Sequence, residues 1–167
     1  MLDYLLHPLV CERFLTDARY REGHLRVVNA LPERRVIGVH SPEIKAVAKQ
    51  LSREGGEVVM PDGVRRICAN GAEFIRAFEA VPNESLCYEE TVIWGYLINI
   101  EKCSLDERLA MLTRYVPVLD NWAVCDSYCA HAKWMARADK SVLWAVLEQW
   151  FDSERELEVR FAVVVAV

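Results

Sequence analysis

Helix-start signals recur along this chain at a nearly constant spacing, and no other feature of the sequence constrains the fold as strongly. Starts of the first helix in successive helix pairs fall near Asn70, Ser104 and Asp139, which are 34 and 35 residues apart. A helix pair repeated at this period is typical of an α-solenoid, in which stacked neighbours share one continuous core. Three motifs at predicted helix starts match or approximate the capping box: Asn70-x-x-Glu73, Ser104-x-x-Glu107 and Ser153-x-x-Glu156.

The apolar periodicity between these starts predicts a run of helices. Second helices of the pairs begin near Asn83, Asp120 and Ser153, spaced by 37 and 33 residues. We therefore predict an all-α fold, an α-α superhelix that forms a single domain over residues 1–167, with a non-repeating helical bundle as the alternative. The predicted helices lie at about residues 71–80, 84–101, 105–117, 121–137, 139–150 and 154–167.

Upstream of the repeats, a further helix and a break in the pattern are predicted. Ser41 as N-cap and Pro42 at the first helical position open a helix over residues 44–51, which Gly55 and Gly56 end. Two short β-prone runs then flank Pro61-Asp62-Gly63. A small hairpin and an irregular loop explain this segment equally well.

The composition indicates a globular chain that is not membrane-bound. Of 167 residues, 53% are hydrophobic and 27% charged, which excludes a disordered chain. The first residues lack the basic region of a signal peptide, and no apolar run approaches membrane-spanning length. The six cysteines form no C-x-x-C framework, so we expect buried free thiols in a cytoplasmic protein.

The net charge of −5 is distributed unevenly. Residues 1–66 hold 11 Lys and Arg against 9 Asp and Glu, whereas residues 67–167 hold 9 against 16. Nucleic-acid binders usually carry a basic stripe, so here such a stripe has to be created by the fold. The one dense basic stretch, for which a solvated helix end and loop is the simpler explanation, consists of Arg19, Arg21, Arg26, Arg34 and Arg35.

Within the helix predicted at 121–137, Trp122 and Asp126 stand four residues apart. Residues at this spacing share a helix face, and a flat aromatic beside an anion suits a cationic or sugar-like ligand. Core packing of the indole and plain exposure of the carboxylate are the alternatives. Arg160 precedes a strongly apolar run and therefore snorkels, pairs with an acid or holds a ligand anion. Tyr88 could project from the same concave wall of a solenoid.

Cofactor and metal chemistry find little support. Cys125, Cys129 and His131 have a metal-like spacing, but the histidine points away from the face that the two thiols share, and no second ligand cluster accompanies them. Phosphate-binding and dinucleotide-binding glycine motifs are absent from the sequence. We predict no cofactor and no metal.

Four segments, taken in order, resemble the markers of the DNA alkylation repair family, often called AlkD-like. The most specific of them contains the W-x-x-x-D pattern around Trp122. The segments are GVHSPEIKAVAK over 38–49, YEET with WGYL over 88–97, DNWAVCDS over 120–127, and ELEVRFAV over 156–163.

This resemblance implies HEAT-like helical repeats and a site. Characterised members are DNA glycosylases that remove cationic N3- and N7-alkylated purines. In the family motif the Trp packs against the lesion nucleotide and the Asp supports departure of the base, and by match these roles fall on Trp122 and Asp126. The family's backbone-contacting Arg falls on Arg160, and we expect Tyr88 to bind DNA as well.

The resemblance predicts hydrolysis of the N-glycosidic bond in double-stranded DNA that carries alkylated bases. A non-catalytic HEAT-like module that binds DNA or protein is the alternative. Convergence of Trp122, Asp126 and Arg160 among basic side chains would favour the DNA function. A buried Trp122, with Asp126 held by an internal salt bridge, would favour the scaffold.

The end of the sequence departs from the family pattern. Characterised members carry a second catalytic Trp on a later helix, and the sequence ends at Val167 before such a helix. The last seven residues are apolar, whereas a solenoid usually closes on a polar capping repeat. Either C-terminal repeats are missing or a partner covers this end, and self-association through it is the form of contact that we predict.

Overall fold

Helices form most of this protein, as the capping motifs and apolar periodicity predicted. The computed structural model describes residues 1–28 and 34–166. None of its helices in these ranges is both long and apolar enough to cross a bilayer. In chain order the helices are α1 (Asp3–Leu6), α2 (Glu12–Thr16), α3 (Ala18–Val27), α4 (Ser41–Glu54), α5 (Gly71–Glu79), α6 (Tyr88–Ile100), α7 (Leu105–Tyr115), α8 (Trp122–His131), α9 (Lys140–Phe151) and α10 (Glu156–Ala166).

From α4 onward the helices pack as two rows. In the first row α4 packs on α6, α6 on α8, and α8 on α10. The second row lies on the first, with α5 against α4 and α6, α7 against α6, and α9 against α7 and α10. Successive helices therefore alternate between the rows, so each pair shares its apolar surface with the next pair.

Helix α6 lies at the centre of the core and is buried on almost every side. A helix in that position has to be apolar all round, which explains why it lacks a polar face. Gly95 is required there by close packing, since a Cβ atom at this position would come within 2.5 Å of the Tyr115 hydroxyl. Two carboxylates, Glu89 and Glu90, are nevertheless fully buried on α6.

The break in helical periodicity forms the hairpin that was one of its two predicted structures. Strands β1 (Gly56–Val59) and β2 (Arg65–Cys68) pair antiparallel. Gly55 ends α4 with φ of 69°, and a Cβ atom there would lie 2.4 Å from the carbonyl oxygen of Cys68. The protein is therefore mostly helical, with one small sheet as the exception to the all-α prediction.

Two predicted helix boundaries are wrong. Helix α6 begins at Tyr88 rather than at 84, because Cys87 is its N-cap and the Cys87 amide donates to Glu90 Oε2 at 2.9 Å. Helix α8 ends at His131 rather than at 137, and the Trp134 indole beyond it donates to Asn99 Oδ1 at 2.8 Å. That hydrogen bond fixes the chain after α8 against the end of α6.

The predicted caps are confirmed in part. The Ser104–Glu107 capping box is complete, and the Asn70 side chain accepts from the Glu73 amide. At α4 the N-cap is His40, so Ser41 is already helical. The Ser153 hydroxyl donates to Glu158 at 2.6 Å and does not form the predicted box with its third neighbour.

Candidate functional site

Helix α8 presents its first residue, Trp122, at the surface. Asn121 caps the helix by accepting from the Ala123 amide at 2.8 Å, and its own burial fixes where α8 begins. The Trp122 side chain directly after the cap is 37% exposed, so it is not the core residue that a helical Trp usually is. An indole face is available to a ligand at this helix end.

Asp126 lies one helical turn further along α8 and is bound by Arg160 of α10. Arg160 Nε donates to Asp126 Oδ1 at 2.9 Å, and its Nη2 donates to Oδ2 at 2.7 Å. The carboxylate and guanidinium side chains remain 38% and 41% exposed. These hydrogen bonds raise the pKa of Arg160. Asp126 and Arg160 therefore converge as predicted, and in this structure they form an ion pair with each other.

A groove opens beside this pair, between α8 and the C-terminal half of α10. Its volume is about 330 Å³, and Asp126 is its one charged lining residue within the described ranges. The remaining lining side chains are small or apolar, among them Ala130, Met135 and Val164. Within the described residues no basic side chain lines the groove, and Trp122 is exposed. Neither predicted arrangement, convergence among basic side chains or a buried Trp122 with a paired Asp126, is therefore fully present.

Cys129 also lines the groove, one turn after Cys125. A hydrogen bond between the two sulfurs, together with burial, raises the pKa of the Cys129 thiol. The thiol therefore stays protonated and is a poor nucleophile. Within the described residues all six cysteines are free, and no cluster of three or more candidate metal ligands occurs.

A polar cluster that sequence reasoning missed joins α4, α6 and α8. The Ser127 hydroxyl donates to Tyr96 at 3.2 Å, and the His131 ring meets the same tyrosine ring edge-on at 4.9 Å between centroids. The ammonium group of Lys45 lies 5.7 Å from the centre of that ring. Tyr96 therefore connects Lys45 of α4 to Ser127, the residue next to Asp126. No pattern in the sequence indicated that these residues would be in contact.

Tyr88 lies apart from this site. It is the first residue of α6 and is only 8% exposed, and burial raises its pKa to about 12. In the parts of the chain that are described, no hydrogen bond or ring contact joins it to Trp122, Asp126 or Arg160. Its predicted contact with DNA stays a prediction that its burial does not support.

The dense basic stretch of the sequence is not one surface. The Arg34 side chain is 5% exposed and lies 3.2 Å from Asp120, while Arg35 pairs with Asp3 at 2.7 Å. Arg21 donates to a main-chain carbonyl. Arg34 therefore ties the segment before α4 to the start of α8, whereas Arg35 and Arg21 bind partners within the N-terminal part of the chain. Arg19 and Arg26 are exposed, and their side chains have no partner among the described residues, which agrees with the solvated helix end that was the simpler explanation.

The fold and the site define a mostly helical protein in which two neighbouring helices hold an exposed indole, a carboxylate and a guanidinium together. A family model described as DNA alkylation repair enzyme matches residues 85–167, the part that contains this site. The family predicted from the sequence is confirmed, and residues 85–167 belong to it. Neither the curated proteins nor the solved structures give a significant match to the chain.

Proposed function

We propose that this protein is a DNA glycosylase of HEAT-like repeat architecture that removes cationic N3- and N7-alkylated purines from double-stranded DNA. The observation that carries the proposal is the exposed Trp122 beside the Asp126–Arg160 pair, within the family-matched region. The two-row packing and the 34-residue separation of Asp126 and Arg160 support the repeat architecture, since equivalent positions of neighbouring repeats would be that far apart.

The chemistry suits these side chains. An alkylated purine is already cationic, so its departure needs little protonation, and positive charge develops on the deoxyribose as the glycosidic bond breaks. A fixed carboxylate at Asp126 stabilises that charge and orients the attacking water. The Trp122 face attracts the cationic lesion or sugar. An open surface is enough for this chemistry, because no side chain has to enclose the base.

Arg160 has two roles in this scheme. In the free protein it neutralises Asp126 through two hydrogen bonds of 2.7 and 2.9 Å. A DNA phosphate competes for the same guanidinium, because Arg binds phosphate and carboxylate with the same two-pronged geometry. Once the guanidinium has moved to a phosphate, Asp126 carries its full negative charge towards the sugar.

The test is release of methylated purine from alkylated duplex DNA by the wild type and by Asp126→Asn. We expect the variant to release base about 10²–10³-fold more slowly, the usual cost of removing an electrostatic group from a transition state. Asp3→Asn is the matched control, because Asp3 forms an equally exposed bidentate pair with Arg35. The control is expected to release base at the wild-type rate.

Two results would contradict the proposal. No release by the wild type would remove the enzyme function, and equal release by both variants would remove Asp126 as the catalytic carboxylate. The first result would favour the non-catalytic module, for which the neutralised state of Asp126 is the supporting observation. The cytoplasmic location and the self-association through the apolar C-terminal end, where Val163 and Val164 are exposed, stay predictions.

A further inference from the structure

Five exposed cations lie in the last turns of α4 or after the C-terminal ends of α6 and α8, all helices of the first row. Within the described ranges none of their side chains has an ion-pair or hydrogen-bond partner, although most arginine side chains elsewhere in those ranges have one. We call this set the basic edge, and it consists of Lys49, Arg53, Lys102, Lys133 and Arg137.

Contacts between the helices place these cations on one side of the molecule. Lys45 on α4 meets Tyr96 on α6, and eight residues further along α4 Arg53 shares a cavity with Lys102, so α4 and α6 run in the same direction. Asn99 on α6 donates to the Tyr128 carbonyl and accepts from Trp134, so α8 follows the same direction. Parallel helices of one row end at the same edge.

Two concavities lie along this edge. The first has a volume of about 440 Å³ and is lined by Lys49, Arg53 and Lys102 among others. The second measures about 320 Å³, and Arg137 and Trp134 contribute to its wall. The Arg108 guanidinium lies 5.4 Å from the centre of the Trp134 ring and stiffens that wall.

Within the described residues, none of the nearby carboxylates forms an ion pair with a cation of the basic edge. Asp139 accepts from the Ser141 and Val142 amides and so caps α9. Glu101 packs against Gly71 at the start of α5, and burial raises the pKa of its carboxyl group. Glu54 and Asp106 are exposed carboxylates near the edge, and Glu107 accepts from the Ser104 amide at 2.8 Å. The five cations of the basic edge are therefore free to bind an anion, although the whole chain carries a net charge of −5.

We propose that the basic edge binds the phosphate backbone of the DNA duplex that carries the lesion, and this inference rests on the proposed function. Unpaired exposed cations beside concave surfaces suit a polyanion, because binding releases its condensed counterions. Base edges are not read there, so this contact is independent of sequence and of damage. The edge lies beyond the C-terminal end of α8, whereas Trp122 and Asp126 occupy the first two turns of that helix.

The test measures binding to an undamaged duplex by fluorescence anisotropy at several salt concentrations. The double variant Arg53→Gln/Lys102→Gln is compared with Arg19→Gln/Arg26→Gln, which removes the same charge from exposed positions on α3. The binding constant K falls as salt rises, and each lost phosphate contact reduces the steepness of log K against log salt by about 0.9. We expect the edge variant to lose about 2 units of slope and the control to keep the wild-type slope.

The possible outcomes separate this inference from the proposed function. Binding through the edge without any base release would sustain the edge and overturn the glycosylase. If the wild type releases base and the edge variant binds DNA with the wild-type salt dependence, the glycosylase function is supported and the basic edge is not the DNA contact. Equal losses of slope in both double variants would also overturn the edge, because net charge alone would then control binding.

Discussion

Two Asp–Arg pairs in this protein have nearly the same geometry and very different surroundings. Arg35 donates to both Asp3 oxygens at 2.7 and 2.8 Å, and Arg160 donates to both Asp126 oxygens at 2.7 and 2.9 Å. The four side chains are between 38% and 48% exposed. Ion-pair geometry and exposure therefore do not distinguish a structural pair from a candidate active site.

The difference lies in what each carboxylate faces. Asp3 has further neighbours besides Arg35, since the Met1 ammonium and a ring nitrogen of His7 each lie 3.9 Å away. Asp126 faces an apolar groove and follows the half-exposed Trp122 by one helical turn. A carboxylate with one replaceable partner beside an open groove is available to a ligand. A carboxylate such as Asp3, which already has several partners within the protein, is less available to a ligand.

Reversing each pair tests this difference most strongly. Asp126→Arg/Arg160→Asp preserves an ion pair but moves the carboxylate to α10, away from the Trp122 face. We expect base release to fall by about 10³-fold, close to 4 kcal/mol of transition-state stabilisation. Asp3→Arg/Arg35→Asp should release base as the wild type does, because that pair has no part in the chemistry.

Base release has to be measured together with thermal unfolding, so that misfolding is recognised. A reversed 126/160 protein that unfolds at the wild-type temperature and still releases base would show that the pair is only structural. Loss of release in the reversed 3/35 protein, with its fold intact, would equally contradict the comparison.

Much of the fold was predictable because capping signals are local. The starts near Asn70, Ser104 and Asp139 each depend on a side chain and an amide two or three residues away. The path of the chain after α8 was not predictable, since it is fixed by a hydrogen bond between Trp134 and Asn99, which are 35 residues apart. Pairings at that distance leave no trace in periodicity.

In the candidate site, too, local features were predictable from the sequence and contacts between distant residues were not. The Trp122–Asp126 spacing on one helix and the position of Arg160 before an apolar run could be read from the sequence, and the family resemblance added the role of Arg160 as a DNA-backbone contact. The sequence left open whether Arg160 pairs with an acid or holds a ligand anion, and it did not identify Asp126 as that acid. The basic edge was also hidden, because its members are separated along the chain and meet only when parallel helices end together.

Glu89 extends the comparison to a buried carboxylate. It accepts from the amides of Ile37, Gly38 and Val39 at 3.0, 2.7 and 3.3 Å and is fully buried on α6. Glu89→Gln replaces charge-assisted hydrogen bonds by weaker ones and turns one acceptor into a donor. We expect a loss of about 2–3 kcal/mol in the free energy of unfolding, measured by urea denaturation.

The loss of unfolding free energy in Glu89→Gln is to be compared with the loss in variants of the two exposed pairs. Asp126→Asn and Asp3→Asn should each cost less than about 1 kcal/mol, because solvent screens them. If Glu89→Gln costs no more than these two variants, burial does not separate structural carboxylates from available ones in this protein.

The smallest expected effect is the acid sensitivity of the Asp3–Arg35 pair. The hydrogen bonds from Arg35 hold the pKa of Asp3 below its usual range. A lowered pKa stabilises the fold above the unfolded value of about 3.9, and this contribution is lost as the pH falls through the folded pKa. Asp3→Asn should therefore be less stable than the wild type at pH 7, by less than about 1 kcal/mol, and the difference should shrink below about pH 4. Urea midpoints of both proteins at pH 7, 4 and 3 measure it, and a difference that stays constant with pH would show that the pair's electrostatics do not contribute to stability.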